Sequence, residues 1–266
     1  TTARVAHVID MIFKRQVGEP NNGWVVLVHG LGEHCGRYDD FMQLLADHGF
    51  SVYAFDWAGH GRSDGKLGHS TIEFAFATID DIIAEIGEKP FLFGHSLGGL
   101  AIIRYAELYP DRVKGLVASA PMLARNSAVS RLSVAFSKLL GSIVPSLTVH
   151  NRIDPADISR NEEAVEAYRD DPLVHHRTST ALAKSMFTHL AEAHRDAAKI
   201  TVPILLLLGT ADVLVPPRGA RRFMKELEVE DKTLKEFEGA YHEVCDDPEW
   251  RDTYHDVIVR WLLNHC

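Results

Sequence analysis

The stretch that decides the fold is FLFGHSLGGLAIIRYAELY, residues 91–109. Three apolar residues run into Gly94-His-Ser-Leu-Gly98, and an apolar helical pattern starts at Leu97. A strand that passes directly into a helix must turn tightly, and the glycines two positions on either side of Ser96 leave room for that turn. Helix N–H groups and the positive end of the helix dipole would then lie beside the serine. The pattern predicts that Ser96 is a nucleophile.

On both sides of this stretch, short apolar runs alternate with longer helical patterns. We expect seven strands, at residues 5–13, 24–28, 50–55, 91–93, 113–119, 204–208 and 234–237. We expect helices at residues 38–48, 72–86, 97–109, 218–227 and 250–263. Short buried runs separated by helices are typical of an α/β fold, a mostly parallel central sheet with helices on both faces. Ligands bind such sheets at the carboxyl ends of their strands.

One segment interrupts this alternation. Between Pro121 and Lys199 the sequence has helical patterns and no buried strand. We interpret residues 122–199 as a helical cap inserted before the strand that begins at Ile204. Because no internal repeat and no long linker is present, residues 1–266 are expected to form a single domain.

A second G-x-S-x-G pattern, Gly61-Arg-Ser-Asp-Gly65, is not expected to hold the nucleophile. Ser63 lies well beyond the end of its strand, and the residues after it, Lys66-Leu-Gly-His69, do not begin a helix. A nucleophile elbow needs both a strand before the serine and a helix after it.

A serine nucleophile needs a base, and the base needs an acid that orients it. Asp212 follows the strand that ends at Leu208, and His242 follows the strand that ends near Phe237. The chain order serine, acid, histidine at successive strand ends matches the order that accompanies a nucleophile elbow. Among the fifteen histidines, His242 is the one between the last strand and the last helix. Most of the others are expected at the surface.

Acyl transfer also needs donors for the oxyanion of the tetrahedral intermediate. One donor is expected to be the backbone N–H of Leu97, the residue after the nucleophile. The second is expected from the loop His29-Gly-Leu-Gly32, which follows an early strand, and we assign it to the N–H of Leu31. A glycine-rich turn without this role is the alternative for that loop.

These residues together resemble the α/β-hydrolase superfamily, and more narrowly its monoacylglycerol lipase branch of serine hydrolases. The resemblance rests on His29-Gly-Leu-Gly-Glu-His-Cys-Gly-Arg-Tyr38, Gly59-His-Gly-Arg-Ser-Asp-Gly65, Gly94-His-Ser-Leu-Gly-Gly99 and Glu238-Gly-Ala-Tyr-His242. Ile158-Ser-Arg-Asn161 and Asp171-Pro-Leu173 in the insertion also resemble that branch. The resemblance covers nearly the whole chain and is weakest over residues 125–151.

The resemblance implies an esterase that cleaves long-chain monoacylglycerols through a Ser–Asp–His triad and an acyl-enzyme, with no metal or organic cofactor. It also implies that Glu33, Arg37 and His95 receive the glycerol end. A Glu33–Arg37 ion pair that only stiffens the loop is the alternative. Mammalian members carry a second histidine three residues after the catalytic one, and Cys245 stands at that position here.

The stretch from Ser127 to Val144 is the most amphipathic of the chain. Its apolar residues, from Ala128 to Ile143, fall on one face of a helix. Residues 124–153 contain no acidic residue and four basic ones, Arg125, Arg131, Lys138 and Arg152. We expect peripheral contact with a membrane or micelle through Ala128–Ile143. The alternative is that the same face packs on the sheet or roofs an acyl tunnel.

Composition excludes several classes of protein. With 28 basic and 37 acidic residues the net charge is −9, which argues against nucleic-acid binding because that requires clustered Lys and Arg. Three cysteines cannot close a disulfide framework, and no apolar run is long enough to span a bilayer. A cytoplasmic location is expected, with the amphipathic stretch as a candidate for peripheral membrane association.

Other functions remain open from the sequence. A lysophospholipase or a broad carboxylesterase would use the same triad. A peptidase of the proline iminopeptidase type would need acidic groups in the cap, where Glu162 and Glu163 could hold the amine. A non-catalytic binding protein of the same fold would usually lack part of the triad, whereas all three residues are present here.

Overall fold

The structure is a computed structural model that describes residues 11–126 and 129–266. Its strands in chain order are β1 (Lys14–Val17), β2 (Gly23–Val28), β3 (Phe50–Phe55), β4 (Phe91–His95), β5 (Gly115–Ser119), β6 (Thr148–His150), β7 (Arg177–Ser179), β8 (Ile204–Gly209) and β9 (Lys232–Phe237). Its helices are α1 (Asp39–Asp47), α2 (Ile72–Ile86), α3 (Leu97–Leu108), α4 (Arg131–Ile143), α5 (Glu162–Asp170), α6 (Thr180–Asp196), α7 (Arg218–Glu226) and α8 (Arg251–Asn264).

A seven-stranded sheet in the order β1-β3-β2-β4-β5-β8-β9 forms the centre. All neighbouring pairs are parallel except β1 and β3, which are antiparallel. The chain moves from β2 to β3 on one side and then returns to place β4 on the other side of β2. Such a reversal opens a crevice at the carboxyl ends of the two strands, where α/β sheets bind ligands. The fold class expected from the sequence is confirmed.

Side chains from the two faces of the sheet enter two separate cores. Val26 and Val28 of β2 pack in one core, whereas Val25 and Leu27 pack in the other. This alternation follows from the pleat of a strand, which sends successive side chains to opposite faces. The five inner strands, β2, β3, β4, β5 and β8, are mostly apolar and buried because helices cover both faces of the sheet, whereas the edge strands β1 and β9 carry polar residues. Helix α3 is buried over nearly its whole length, so the element after Ser96 is held firmly on the sheet.

Several helices begin at a side-chain cap, which explains where the sequence starts them. The capping side chain accepts a backbone N–H from two or three residues further on, and this satisfies one of the donors at a helix start. The capping residues of α2, α4, α5 and α6 are Thr71, Ser130, Asn161 and Ser179.

The prediction of a first strand at residues 5–13 was wrong for its last three residues. Residues 5–10 lie outside the described part of the chain, and Met11–Phe13 are not in a strand. The strand begins at Lys14, where the chain pairs antiparallel with β3. β1 is an edge strand with polar residues, so its position follows from backbone pairing rather than from the apolar run before it.

The insertion between β5 and β8 contains α4, β6, α5, β7 and α6. β6 and β7 form a separate two-stranded antiparallel sheet, although no buried strand was expected in this segment. Each has only three residues, too few for an alternating pattern to be read. α4 lies close against α6, since a Cβ atom at Gly141 would come within 2.4 Å of the Thr180 carbonyl oxygen.

Candidate active site

Ser96 lies between β4 and α3 in a conformation that side chains rarely adopt. Its φ is 54° and its ψ is −113°. The neighbouring glycines are required by space, because a Cβ at Gly94 would lie 2.4 Å from the Gly98 carbonyl oxygen and one at Gly98 would lie 2.0 Å from that of Val28. Strain of this kind persists only where the surroundings enforce it, and it is concentrated at functional sites. The tight turn expected around Ser96 is therefore present.

His242 and Asp212 are bonded to each other beside this serine. His242 Nδ1 lies 2.6 Å from Asp212 Oδ2, and both side chains are buried. The other oxygen of Asp212 accepts the backbone N–H groups of Leu214 and Val215 at 2.8 and 2.9 Å. Because the carboxylate holds a proton on Nδ1, the imidazole keeps Nε2 as its basic nitrogen. Ser96 and His242 line the same cavity.

The electrostatic surroundings favour a proton on His242 and oppose one on His95. Burial by itself would lower the pKa of His242, but the charge and hydrogen bond of Asp212 outweigh it and raise that pKa above its usual value. The ring of His95 lies 4.7 Å from that of His242, centroid to centroid. Burial, together with the neighbouring His242, lowers the pKa of His95 to about 4. His95 is therefore neutral at neutral pH.

The loop after β2 lies close to Ser96, since a Cβ atom at Gly30 would stand 3.3 Å from Ser96 Cβ. The N–H of Gly30 donates to Glu33 Oε1 at 2.6 Å, and this contact folds the loop back on itself. Gly32 has a φ of 79°, and a Cβ there would come within 2.4 Å of the His175 carbonyl oxygen. Leu31 and Leu97 both line the cavity, and Leu97 opens α3, where the first N–H groups of a helix lack an intrahelical acceptor.

A buried charged group lies beside the loop. Arg37 donates to Glu33 Oε2 at 2.8 Å and forms two bonds with Glu243 at 2.7 and 2.8 Å. Its guanidinium also lies 4.8 Å from the centre of the Tyr168 ring in α5. Burial would raise the pKa of Glu33, but the positive charge of Arg37, helped by the hydrogen bond from the Gly30 N–H, outweighs it and lowers that pKa. The ion pair given above as an alternative for Glu33 and Arg37 is present.

The cavity beside Ser96 has a volume of about 680 Å³. Its polar lining includes Glu33, His95 and Glu243, whereas Arg37 contacts two of these carboxylates and is not part of the lining. The insertion contributes apolar side chains, among them Val129, Phe136, Val149, Ile153, Met186 and Phe187. The cavity thus combines a charged group of carboxylates with an apolar lining from the insertion.

The structure brings together most of the residues expected at the site. Ser96, Leu97, Leu31, His242, Glu33 and His95 share the cavity. Glu243 was missed, because its importance depends on Arg37, which is 206 positions away in the chain. Ser63 is excluded from the cavity lining and holds a loop instead, since its hydroxyl donates to the Asp56 carbonyl oxygen at 2.7 Å.

The expectation that most other histidines lie at the surface was wrong for six of them. The buried histidines besides His242 are His29, His34, His60, His95, His175 and His189. His29 shows how a buried imidazole is satisfied: Nδ1 lies 2.9 Å from the Gly30 carbonyl oxygen, and Nε2 accepts the N–H of Trp57 at 3.2 Å. Burial lowers its pKa, so the ring acts as a neutral bridge within the loop.

The apolar face of α4 is exposed in the structure. Its large side chains are Leu132 (83% exposed), Phe136 (60%), Leu139 (56%) and Ile143 (65%). Ala128, where the amphipathic face was expected to begin, lies outside the described residues, and Val129 precedes the helix. These four residues, called the α4 ridge below, are spaced as neighbours on one side of a helix. Across residues 11–126 and 129–266, no helix is long and apolar enough to cross a bilayer.

Comparison with known proteins identifies the family. The serine aminopeptidase S33 family (Hydrolase_4) matches residues 19–249. The crystal structure of the Paleococcus ferrophilus monoacylglycerol lipase is 54% identical in sequence, superposes with a TM-score of 0.95, and covers 96% of this chain and 100% of that one.

Two relatives are similar over comparable lengths. The monoacylglycerol lipase of Mycolicibacterium smegmatis is 37% identical over 91% of this chain and 89% of its own length. The monoglyceride lipase of Rattus norvegicus is 34% identical over 90% of this chain and 81% of its own length. The chain therefore belongs to the serine aminopeptidase S33 (Hydrolase_4) family of the α/β-hydrolase superfamily.

Proposed function

We propose that this protein is a carboxylic ester hydrolase that cleaves monoacylglycerols to a fatty acid and glycerol, with Ser96, His242 and Asp212 as its catalytic residues. The observation that carries the triad is the hydrogen-bonded His242–Asp212 pair, whose histidine lines the same cavity as a conformationally strained serine at the start of a helix. The substrate follows from the monoacylglycerol lipases to which the chain is similar over about nine-tenths of its length.

In this proposal the reaction proceeds in two halves. Ser96 Oγ attacks the ester carbonyl while His242 Nε2 takes the serine proton, and the Asp212 carboxylate stabilises the imidazolium that forms. The N–H groups of Leu31 and Leu97 donate to the oxyanion. The intermediate collapses as His242 gives its proton to the departing glycerol oxygen, which leaves an acyl group on Ser96. Water activated by His242 then attacks this acyl-enzyme and releases the fatty acid.

The charged group of the cavity is suited to the alcohol part of the substrate. Carboxylate oxygens of Glu33 and Glu243 accept hydrogen bonds from the glycerol hydroxyls, and His95 lies beside them. Arg37 holds both carboxylates in place rather than reaching the substrate. A phosphate placed beside Glu33 and Glu243 would meet two carboxylates, so this end of the cavity favours a neutral alcohol over the headgroup of a lysophospholipid.

The peptidase alternative has no comparable support. Glu162 and Glu163 are exposed in the first turn of α5, and neither lines the cavity at Ser96. These two carboxylates are therefore not placed to bind the amine of a substrate that lies in the cavity at Ser96.

Residues 122–199 act as the cap of a single catalytic domain in this proposal, and the α4 ridge contacts lipid. A monoacylglycerol resides in a bilayer or micelle, so its acyl chain needs an apolar path to Ser96. Phe136 both belongs to the exposed α4 ridge and lines the cavity, so it connects the surface with the interior. The basic residues of the same region favour an anionic lipid surface by about 1 kcal/mol each when they lie close to it.

A hydrolysis screen tests the function directly. Purified protein is assayed against monoacylglycerols, diacylglycerols, lysophospholipids and short p-nitrophenyl esters, with release of fatty acid or nitrophenol as the measurement. We expect the highest kcat/KM with long-chain monoacylglycerols, and none with Ser96→Ala.

A fluorophosphonate probe provides the control for the nucleophile. It should label the wild type and Ser63→Ala but not Ser96→Ala. Labelling that survives in Ser96→Ala would reject the assignment of the nucleophile, and a preference for lysophospholipids would reject the substrate.

A further inference from the structure

The loop that carries His242 is held by the insertion as well as by the sheet. Three consecutive residues of the insertion, 158–160, contact it, and we call them the clamp segment. The N–H of Glu243 donates to the Ile158 carbonyl oxygen at 2.7 Å. The Ser159 hydroxyl donates to the Asp246 carbonyl oxygen at 3.4 Å. These contacts lie on the residues immediately after His242.

The strongest contact of the clamp segment is an ion pair with Asp247. Arg160 Nε and Nη2 donate to the two carboxylate oxygens of Asp247 at 2.8 and 2.7 Å, a bidentate geometry. The Asp247 side chain is almost fully buried. Burial would raise its pKa, but the hydrogen bond of Arg160 and those of backbone N–H groups outweigh it and lower that pKa. Asp247 therefore keeps its charge in a buried position.

Asp247 also accepts hydrogen bonds from the residues just before the helix that follows. The same carboxylate oxygen that meets Arg160 Nη2 accepts the N–H groups of Glu249 and Trp250 at 3.0 and 3.1 Å, just before α8 begins. At the other end of the loop, Arg160 Nη1 lies 3.5 Å from where a Cβ of Gly239 would stand. One guanidinium thus lies beside both ends of the loop, with His242 between them.

We propose that Arg160 and Asp247 are positioning residues for His242, so that the insertion helps to assemble the catalytic base and does more than cover the cavity. Asp212 holds Nδ1 of His242 by a hydrogen bond, but the position of Nε2 relative to Ser96 also depends on the backbone of the loop. Loss of the Arg160–Asp247 pair removes the ion pair that ties the insertion to the end of the loop at Asp247. A displacement of about 1 Å in a reacting group lowers a rate by up to about a hundredfold. The inference rests on the proposed role of His242 as base.

The test measures kcat and KM separately on p-nitrophenyl acetate, a soluble ester that needs no lipid surface. We expect Arg160→Met to lower kcat by about ten- to a hundredfold and to change KM less than about twofold. The reason is that the variant displaces the catalytic base and leaves the substrate-binding surface in place. Arg160→Lys keeps the charge but loses the bidentate geometry, so it should recover only part of the loss. The rate of fluorophosphonate labelling should fall in parallel with kcat.

A matched control is present elsewhere in the chain. Arg221 forms an equally bidentate pair with Glu236 at 2.8 and 2.6 Å, and neither residue lines the cavity. Arg221→Met should leave kcat unchanged. If Arg160→Met keeps a normal kcat and only its Tm falls, the pair is a structural contact and the proposal is overturned. An equal loss of kcat in Arg221→Met would also overturn it.

The two proposals fail in different ways. If His242→Ala reacts with the fluorophosphonate as fast as the wild type does, the proposed base is wrong. If His242→Ala is unreactive while Arg160→Met keeps the kcat and labelling rate of the wild type, only the clamp proposal fails. Asp247→Asn combined with Arg160→Met should be no slower than the slower single variant, because both changes break one contact. Additive losses would mean that the two residues act separately.

Discussion

Replacing Leu139 of the α4 ridge with aspartate should weaken binding to lipid while leaving chemistry intact. Leu139 is 56% exposed and does not line the cavity. Burying a whole leucine side chain contributes about 1.5–3 kcal/mol, so the part still exposed contributes about 1–1.5 kcal/mol on entering lipid. Because 1.4 kcal/mol corresponds to a factor of ten, the binding constant should fall at least about five- to tenfold. Desolvation of the aspartate adds to this loss.

The assay is flotation with phosphatidylglycerol-containing liposomes, followed by hydrolysis of a long-chain monoacylglycerol in those liposomes and of p-nitrophenyl acetate in buffer. We expect the first two to fall together and the third to stay within about twofold, since the small ester needs no partition step. Leu108→Asp is the control, because Leu108 is 42% exposed at the end of α3, away from the carboxyl ends of the strands. A parallel loss on both substrates, or unchanged flotation, would refute the reasoning.

Three further outcomes follow from the site. The kcat/KM for a soluble ester should fall as pH drops through the pKa of His242, because the imidazolium cannot accept the serine proton. Asp212 raises that pKa above the usual imidazole value, so the midpoint of the fall should lie above it as well. A pH-rate profile with a flat acid limb would contradict this. His242→Ala and Asp212→Asn should each lower kcat by about 10⁴-fold, and steady-state kinetics of the double variant should show little further loss; near-normal turnover of His242→Ala would reassign the base. Gly98→Ala should yield little folded protein, with no cooperative transition in a thermal melt, because its Cβ would meet a backbone oxygen. Gly87→Ala has open space but a φ of 71°, so its free energy of unfolding should fall by only about 1–2 kcal/mol.

The sequence was most informative where local pattern and chain order act together. The position of Ser96 followed from a strand that runs directly into a helix, and those of Asp212 and His242 followed from the ends of later strands. All three lie where strands end, because parallel strands bring their carboxyl ends to one edge. The five expected helices also begin and end within one or two residues of their expected positions. Gly49 and Gly87 mark the ends of α1 and α2, and the Thr71 side chain caps the start of α2.

The features of the fold and the site that the sequence did not predict depend on contacts between distant parts of the chain. Glu243 has no local pattern, and its place in the site comes from Arg37 on another loop. The buried histidines could not be predicted either, because an imidazole can be buried wherever neighbouring backbone groups satisfy its nitrogens. For α4 the pattern gave the apolar face, but only its packing against α6 determines that this face points outward.

The position of the insertion also has a consequence for how such a chain can change over time. β5 and β8 are parallel, hydrogen-bonded neighbours with Leu116 opposite Ile204, so residues 120–203 form a single crossover between two adjacent strands. The entropy of closing a loop grows only logarithmically, and doubling its length adds about 0.6 kcal/mol. Lengthening, shortening or exchanging this segment therefore leaves the register of the strands nearly untouched. In the proposed function, the insertion that lines the acyl path can therefore diverge almost independently of the sheet that carries the triad, with residues 158–160 as the point where the two are proposed to change together.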